Sequence, residues 1–343
     1  MTPSVVLVLP KRLPSAVLFT LVLAGIACGS TTPPSTDAGI VAGPDGDVAD
    51  AEPTRDAGAD VAPDVRDSAP EAAIEAGPVT CGAEQVRVVA GNLSGAGGTY
   101  DDARGVRILR GLHPDVALLQ EVRYGDNSAT AQRAFVDAAF GPAYAYVRGR
   151  ITSSVDIPNA VVSRFPIVDS GEWIDPDVAN RTFVWARIDI PGAADLYAIS
   201  VHLLTTSFGD RERQARTLVD LVERLPAGAH VLLGGDFNTT SRTESTLAVL
   251  GQALVTTGAY PVDQAGNGNT NTPRSRPYDW ILASSGLDPC KVPVKIGGAS
   301  FAGGLVFDSR VFTPLTDVAP VELTDSDSPL QHMAVVRDFM LPQ

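Results

Sequence analysis

Lysine is scarce in this 343-residue chain: it occurs three times, so arginine supplies almost all of the positive charge. Acidic residues outnumber basic ones, 40 to 26, and the formal net charge at pH 7 is −14. Electrostatic binding of nucleic acid depends on lysine and arginine that neutralise phosphates. The composition therefore argues against broad binding of polyanions and leaves a local arginine-lined groove as the remaining route.

Long apolar runs are missing too. The run 16–27 is shorter than the ~20 residues that a membrane-spanning helix needs. It follows Lys11 and Arg12 and stops at Cys28, so we interpret residues 1–28 as a targeting segment. Either the cysteine is lipidated after lipoprotein-type processing, which would attach the protein to a membrane, or the protein is secreted freely after cleavage just before it.

Residues 29–80 have almost no aromatic or large aliphatic side chains and are rich in Ala, Pro, Gly and Asp. They contain 11 acidic residues and two arginines, a net charge of −9. Such a segment cannot build a core and is extended by like-charge repulsion, so we predict a disordered linker. The remaining segment, 81–343, carries −7 and is long enough for one large domain.

Cysteine is rare, with three in the chain. If Cys28 carries lipid, Cys81 and Cys290 remain, and they would form a disulfide in an oxidising compartment or stay as two thiols. The sequence leaves both alternatives open. We find no internal repeat, no coiled-coil pattern and no motif that requires an organic cofactor, and we expect a monomer.

Short apolar and β-branched runs recur from Cys81 onward and predict strands. Many of them are apolar on both faces, so both faces of the sheets must be covered. The run 183–190 leads through a Pro-Gly turn into Leu196, which predicts an antiparallel hairpin. The predicted strands are 86–90, 116–119, 144–147, 160–163, 183–190, 196–201, 231–233, 280–282 and 334–336.

Helical periodicity appears between these strands. One helix is predicted to be capped near Asp101 and to close before Pro114. Another has an apolar stripe, with Arg211 among the charged residues mostly off it. An α/β fold of two sandwiched sheets with helices outside fits this order. The predicted helices are 101–112, 129–140 and 243–254, and the stripe consists of Ala215, Leu218, Val219, Val222 and Leu225.

The most informative stretch is 234–238, Gly-Gly-Asp-Phe-Asn, directly after the apolar run 231–233. Side chains two residues apart on a strand point the same way, so Asp236 and Asn238 would lie together at the strand end. The glycines would let another chain segment or a phosphate approach the backbone. A tight turn without function is the alternative, because Gly, Asp and Asn all favour turns.

Other polar residues also sit at the ends of predicted strands. Strand ends from different parts of the chain converge at one edge of a sheet, where active sites are commonly built on a rigid scaffold. We therefore expect a single site there. The residues concerned are Asn92, Gln120, Glu121, His202, Asp236, Asn238, Asp279 and His332.

In these motifs the chain resembles the endonuclease/exonuclease/phosphatase superfamily. That fold is shared by deoxyribonuclease I-like nucleases, bacterial sphingomyelinases and inositol-polyphosphate phosphatases. The matching stretches occur in the family's order and cover almost everything after Cys81. They are Asn92, 114–121 (PDVALLQE), 159–166 (NAVVSRFP), 200–203 (SVHL), 234–238 (GGDFN), 278–281 (YDWI) and 332–335 (HMAV).

The resemblance implies a four-layer α/β/β/α sandwich of two mostly antiparallel sheets. It also implies hydrolysis of phosphate esters assisted by a divalent cation, Mg²⁺ or alternatively Mn²⁺ or Ca²⁺. Glu121 would be the principal metal ligand, and Asn92 would help bind the metal or the phosphate. Such a site is chemically sensible because Mg²⁺ prefers oxygen ligands.

By the same resemblance, His332 would be the general base that activates water, oriented by the carboxylate of Asp279. Asp236 and Asn238 would position the nucleophile and the phosphate oxygens. His202 would donate to the phosphoryl group as charge develops. Hydrolysis would proceed by in-line attack of water without a covalent intermediate.

The chain departs from the family pattern beside the last histidine. The family usually has Ser-Asp-His there, with the Asp often binding metal, whereas Gln331 takes that position here. Asp325 and Asp327 lie a few residues upstream. Either the loop has grown and Asp327 still reaches the cation, or one ligand has become a neutral glutamine.

Simpler roles remain open for several of these residues. Glu121 could be an ordinary surface acid, and His202 a hydrogen-bonded core histidine. His113 and His230 look structural. Four arginines near the predicted site could bind phosphate or simply be solvated. They are Arg148, Arg150, Arg274 and Arg276.

We therefore expect a metal-dependent phosphoesterase, most simply of the phosphodiesterase or nuclease type. Its substrate would be a nucleic acid, a phospholipid head group or a small phosphate ester. A lipid or inositol-phosphate phosphoesterase of the same fold is the first alternative. A non-catalytic surface binding module is the second, favoured only by the glutamine at position 331.

Overall fold

The structure, a computed structural model, describes residues 80–192 and 194–342. The targeting segment 1–28 and nearly all of the linker 29–80 lie outside these residues, so both interpretations stay predictions. Within the described residues we find no helix whose length and hydropathy would let it span a lipid bilayer.

The described chain alternates strands with a few short helices. The helices are α1 (Ala103–Leu112), α2 (Ala129–Ala139), α3 (Phe208–Val222) and α4 (Ser245–Leu250). The strands are β1 (Cys81–Gly91), β2 (Val116–Leu119), β3 (Ala145–Arg148), β4 (Ala160–Ser163), β5 (Ile167–Ile174), β6 (Thr182–Ile188), β7 (Leu196–His202), β8 (His230–Asp236), β9 (Asp279–Ala283), β10 (Lys291–Val292), β11 (Val294–Ile296), β12 (Ala299–Phe301), β13 (Leu305–Phe307) and β14 (Ala334–Pro342).

The strands form two main sheets. The first has the order β10-β14-β1-β2-β4-β3, with β13 also paired to β14, and the second has the order β5-β6-β7-β8-β9. The pairs β1–β2 and β7–β8 are parallel, and the other neighbours are antiparallel. The prediction of two mostly antiparallel sheets is therefore confirmed, including the β6–β7 hairpin. Strands β11 and β12 pair separately.

Because side chains alternate between the two faces of a strand, the protein has three hydrophobic cores, one between the sheets and one on the outer face of each sheet. Val88 and Ala90 of β1 join residues of both sheets in a core between them, whereas Val89 faces the opposite side. There it packs with buried residues of α1 and α2. On the outer face of the second sheet, Ile199 and Leu233 pack against α3 and α4. The result is the four-layer α/β/β/α sandwich that the resemblance implies.

The cap of helix α1 lies one residue later than predicted. The side chain of Asp102, not Asp101, accepts from the backbone N–H of Arg104 and caps the helix. Asp101 instead accepts from the N–H of Gly125, 2.8 Å away. The helix ends at Leu112, and the next residue, His113, has a φ of 50° in the left-handed region, as is common just past a helix end.

Two helix predictions need correction. The helix predicted over 243–254 is only Ser245–Leu250. Arg211, expected off the apolar stripe of α3, is 2% exposed because its guanidinium pairs with Glu244 at 2.7 Å. A buried arginine stays charged when such a partner and further acceptors replace water. Periodicity alone cannot reveal a partner that lies 33 residues away.

Cys81 and Cys290 form a disulfide, with their Cα atoms 5.5 Å apart. This pairing answers the question that the sequence left open. The bond joins the start of β1 to the short 3₁₀ helix Asp288–Cys290 that leads into β10. It closes a loop across 209 residues of sequence, and such a crosslink restricts the unfolded chain.

Candidate active site

In the first sheet, three of the predicted site residues meet at one edge. The parallel strands β1 and β2 end at Gly91 and Leu119, so Asn92 and Glu121 follow at the same edge. Strand β14 runs antiparallel to β1 and begins at that edge, two residues after His332.

The second sheet contributes to the same site. His202 ends β7 and Asp236 ends β8, and the two are partners in the parallel register. Strand β9 is antiparallel and begins with Asp279 opposite Asp236. The backbone N–H of Asn92, in the first sheet, donates to the carboxylate of Asp279 at 3.2 Å. This hydrogen bond joins the edges of the two sheets.

The Gly-Gly-Asp-Phe-Asn stretch is both a strand end and a turn. Strand β8 runs to Asp236, whose carboxylate then accepts from the N–H of Asn238 at 3.0 Å. Asn238 has a φ of 52°, so it lies beside Asp236 through this turn and not through strand alternation. A Cβ on Gly235 would lie 2.2 Å from the carbonyl oxygen of Val201. The glycine is therefore required by a neighbouring strand.

His332 is held by a buried carboxylate. Its Nδ1 lies 2.8 Å from Oδ2 of Asp279, and both side chains are 6% exposed or less. The backbone N–H of Asp279 donates to the hydroxyl of Thr270, and the ring of Tyr278 packs 5.5 Å from the imidazole. Carboxylate and ring together fix the orientation of the imidazole and leave its Nε2 facing the site.

Asp236 lies between two imidazoles. Its Oδ2 is 3.2 Å from Nε2 of His202 and 3.6 Å from Nε2 of His332. Burial raises the pKa of Asp236 to about 7, although the nearby His332 opposes this rise. Burial lowers the pKa of His202 well below its usual value, so this histidine is neutral at pH 7.

The pKa of His332 shifts the other way. Burial lowers it, but the negative charges of Asp279 and Asp236 outweigh burial and raise the pKa to about 9. His332 is therefore protonated at neutral pH, between the carboxyl groups of Asp279 and Asp236. Additional positive charge near these groups would favour the neutral imidazole, which is the form that can accept a proton.

Glu121 and Asn92 present two oxygens to the same hydroxyl. The Oγ of Ser94 lies 2.8 Å from Oε2 of Glu121 and 2.9 Å from Oδ1 of Asn92. Glu121 has a φ of 54°, a conformation that is uncommon for non-glycine residues and concentrated at functional sites. A Cβ on Gly98 would lie 2.7 Å from Oε2 of Glu121, so the loop before α1 approaches this carboxylate closely.

The residues present fit a divalent cation. Glu121 and Asn92 offer the oxygen ligands that Mg²⁺, Mn²⁺ and Ca²⁺ take. A ligand atom of each of Asp236, Asp279 and His332 lies within 4.8 Å of the others, a second group that could hold a metal ion.

Asp327 does not lie among these groups. Its side chain is 47% exposed, and its carboxylate is 3.7 Å from the guanidinium of Arg310. No hydrogen bond described for residues 80–342 connects it to Asn92 or Glu121. Asp325 is buried against the guanidinium of Arg107 on α1 and takes no part in the site. The metal-binding role of Asp327 stays a prediction.

Gln331, which replaces the family's aspartate, makes no side-chain hydrogen bond with the buried groups among the described residues. It is exposed, and its backbone carbonyl accepts from the N–H of Thr272 at 2.8 Å. This contact fixes the loop before β14. Nothing in the described residues shows its amide taking over the role of a ligand.

Arg181 is a site residue that sequence reasoning missed. It precedes β6, which begins at the edge where β7 ends. Burial lowers the pKa of its guanidinium, while the carboxylates of Asp236 and Glu121 favour the charged form. One nitrogen donates to the carbonyl of Leu203 at 3.4 Å, and its buried Nε has no partner among the described residues. No motif marks this arginine; only the topology places it in the site.

The four arginines near the site divide into two pairs. Arg148 donates to Val122 and Asn127, and Arg274 is buried between Asp263 and Asp308. These two stabilise loops. The other two, Arg150 and Arg276, are exposed. The guanidinium of Arg276 makes one contact among the described residues, 3.4 Å to the hydroxyl of Tyr278, and Arg150 makes none.

Removing the negative charge of residue 279 should change the ionisation of His332. In Asp279→Asn we expect the pKa of His332 to fall from about 9, because Asp279 is the largest of the causes that raise it. NMR titration of the imidazole in EDTA measures this pKa directly. The signal of His230, at the far end of β8, is the internal control and should not move. An unchanged His332 pKa would contradict the described contact.

Comparisons with known proteins agree with this geometry. The model of the endonuclease/exonuclease/phosphatase family matches residues 91–314. An endonuclease/exonuclease/phosphatase from Beutenbergia cavernae is 20% identical, with a TM-score of 0.53 over 76% of this chain and 72% of that one. Truncated TDP2 from Caenorhabditis elegans is 18% identical, with a TM-score of 0.51 over 75% of this chain and 97% of that one.

A third structure, an endonuclease/exonuclease/phosphatase from Bacteroides vulgatus, is 14% identical, with a TM-score of 0.51 over 76% of this chain and 100% of that one. At these identities the structures establish the fold. No curated protein matches the sequence significantly. The family match spans the strands from the end of β1 through β13. The chain therefore belongs to the endonuclease/exonuclease/phosphatase family.

Proposed function

We propose that this protein is a divalent-cation-dependent phosphoesterase, of the phosphodiesterase or nuclease type, with His332 as its general base. Members of the family are typically hydrolases that act on phosphate esters. The observation that carries the proposal is the buried hydrogen bond of 2.8 Å between His332 and Asp279, with Asp236 beyond the other ring nitrogen. Burying these charges together is costly, and a site that needs them explains the cost.

In the neutral His332, Nδ1–H donates to Asp279 and the lone pair of Nε2 is free to accept a proton from water. Asp236 and the turn through Asn238 would position that water beside the phosphorus atom. His202 and Arg181 would donate to the phosphoryl oxygens as negative charge builds. The proton passes from water to Nε2 while the new P–O bond forms and the ester P–O bond breaks, and the departing ester oxygen takes a proton from solvent and leaves as the alcohol.

Glu121 and Asn92 would hold the cation, with Asp327 as a further candidate, and the bound cation would neutralise negative charge on the phosphoryl oxygens. Ser94 supports this arrangement because its hydroxyl lies within hydrogen-bond distance of both oxygens and can donate to either one of them. We prefer this pair to the buried Asp236–Asp279–His332 group, because that group would lose its general base if His332 bound a metal.

The test is turnover of bis(p-nitrophenyl) phosphate with Mg²⁺, Mn²⁺ or Ca²⁺ and then with excess EDTA. We expect hydrolysis with at least one cation and its loss on chelation. An absence of turnover with every cation would favour the non-catalytic binding module. Plasmid DNA, sphingomyelin and an inositol phosphate, assayed side by side, then separate the nuclease from the lipid and inositol-phosphate alternatives.

We further propose that the enzyme acts outside the cytoplasm as a monomer, either anchored to a membrane through a lipidated Cys28 or secreted. The disulfide between Cys81 and Cys290 supports this proposal because such bonds persist in oxidising compartments. Metabolic labelling with a fatty acid, compared between wild type and Cys28→Ser, distinguishes the anchored from the secreted form.

A further inference from the structure

A cleft of about 280 Å³ lies at one end of the candidate active site. Arg150 and Arg181 both line it, together with Asp156, Asn180 and Thr182. Arg150 comes two residues after β3, and Arg181 directly precedes β6. Strand β3 lies at an edge of the first sheet and β6 belongs to the second, so the cleft sits between segments that adjoin the two sheets.

Arg181 connects this cleft to the reacting groups. Its guanidinium interacts electrostatically with the carboxylates of Asp236 and Glu121, and its side chain also lines the cleft. A substrate whose phosphate lies between these carboxylates and His332 would extend past Arg181 into the cleft. Whatever enters there meets Arg150 next.

Both arginines have unused hydrogen-bonding capacity. Among the described residues the guanidinium of Arg150 makes no hydrogen bond or ion pair, and the Nε of Arg181 is buried without a partner. A buried donor without a partner is costly, and a ligand that accepts from it recovers that cost. Arginine matches the oxygens of a phosphate with two parallel donors.

The acidic groups nearby do not cancel this preference. The carboxylate of Asp156 is turned inward, where the backbone N–H groups of Thr152 and Ser153 donate to it at 2.6 and 2.7 Å. Glu172 accepts from the hydroxyl of Thr182 at 2.6 Å and from the backbone N–H of Arg150 at 3.1 Å. The two carboxylates therefore accept hydrogen bonds within the loops and do not pair with the guanidinium groups, which remain available to a ligand.

We propose that this cleft is a subsite for a second phosphate of the substrate, held by Arg150 with Arg181. The proposal rests on the proposed function and narrows its substrate class. The preferred substrate carries a phosphate beside the one that is hydrolysed, as nucleotides, oligonucleotides and inositol polyphosphates do. Two arginines disfavour a zwitterionic head group with a quaternary ammonium in this position, which argues against choline phospholipids.

Two substrates that differ by one phosphate provide the kinetic test. Thymidine 5′-(p-nitrophenyl phosphate) is compared with the same ester bearing a 3′-phosphate, in wild type, Arg150→Gln and Arg110→Gln. Arg110 is the matched control. It is an exposed arginine in the last turn of α1, which leads into the start of β2, at the edge of the sheet opposite to the candidate active site. Inositol 1-phosphate and inositol 1,4-bisphosphate form the second substrate pair and identify the source of the second phosphate.

We expect wild type to prefer the substrate with two phosphates in kcat/KM. In Arg150→Gln that preference should fall about tenfold, mainly through KM, the effect expected for one charge-assisted hydrogen bond. Arg110→Gln should retain it. Equal preference in wild type and Arg150→Gln would overturn the subsite even if the enzyme is active.

A binding measurement separates failure of the subsite from failure of the proposed function. Calorimetry in EDTA compares thymidine 5′-phosphate with thymidine 3′,5′-bisphosphate on the same three proteins. Tighter binding of the bisphosphate that is lost in Arg150→Gln would support the subsite even if no substrate is hydrolysed. Equal affinity for the two ligands in wild type would refute it.

Discussion

Replacing His332 by alanine is expected to lower kcat for the phosphodiester at least about 10²-fold, the loss typical when a general base is removed. The Nε2 of this imidazole lies 3.6 Å from Asp236, and the 2.8 Å contact of Nδ1 with Asp279 fixes its orientation. Without it, neither carboxylate replaces the base in the same position. The measurement is the steady-state rate at saturating cation and substrate.

The control for this variant must exclude misfolding. Removing His332 leaves two buried carboxylates facing each other, which is destabilising. His332→Gln keeps a hydrogen-bond donor for Asp279 and should be equally inactive but melt at a higher temperature than the alanine variant. His113→Asn, an exposed histidine at the end of α1 in the left-handed region that asparagine tolerates, should retain wild-type activity. Activity of either His332 variant within a few-fold of wild type would refute the assignment.

The predicted site residues could be found because each stands at the end of a strand pattern. Apolar runs end at Asn92, Glu121 and His202, and Asp279 stands directly before the apolar run 280–282. Polar residues at strand ends can be recognised in the sequence because buried strands are apolar, whereas the strand ends that form a functional site must carry polar side chains. The order of the motifs then placed all of them in one fold, which the two sheets confirm.

What the sequence could not supply depends on distant partners. Arg181 and Arg274 look alike as arginines in polar segments, yet one reaches the reacting carboxylates and the other is enclosed by Asp263 and Asp308. Arg211 pairs inside the protein with an acid far along the chain. The short strands β10 to β13, of two or three residues each, carry too little periodicity to be recognised without their pairing partners.

The buried network behind the active site also depends on contacts between residues that are far apart in the sequence. Arg211 donates to the carbonyl of Leu204, just after His202, while Glu244 accepts from the N–H of Thr240, just after Asn238. One ion pair between α3 and the start of α4 therefore stabilises both loops that leave the site. The sequence contains both charges, but only the packing of the two helices brings them together.

Replacing Glu121 by alanine is expected to cost at least about 10²-fold in rate at a fixed, subsaturating cation concentration, since a principal ligand is lost. Asn92 would then offer the cation a single oxygen of the pair that Ser94 joins. Part of the rate should return at high cation concentration, because weaker binding is overcome by mass action. The measurement is the rate against cation concentration for wild type, Glu121→Ala and Glu121→Gln.

Two further acids give this titration its controls. Glu84→Gln removes an exposed carboxylate near the far end of β1 and should leave the curve unchanged. Asp327→Ala should shift it less than Glu121→Ala, because Asp327 is 47% exposed and pairs with Arg310. An equal shift in both variants would show that the loop before His332 closes onto the cation, as its position in the family motif implies. If Glu121→Ala gave the wild-type curve, the cation site would have to be reassigned to the buried Asp236–Asp279 pair. His332 could then no longer be assigned as a free base.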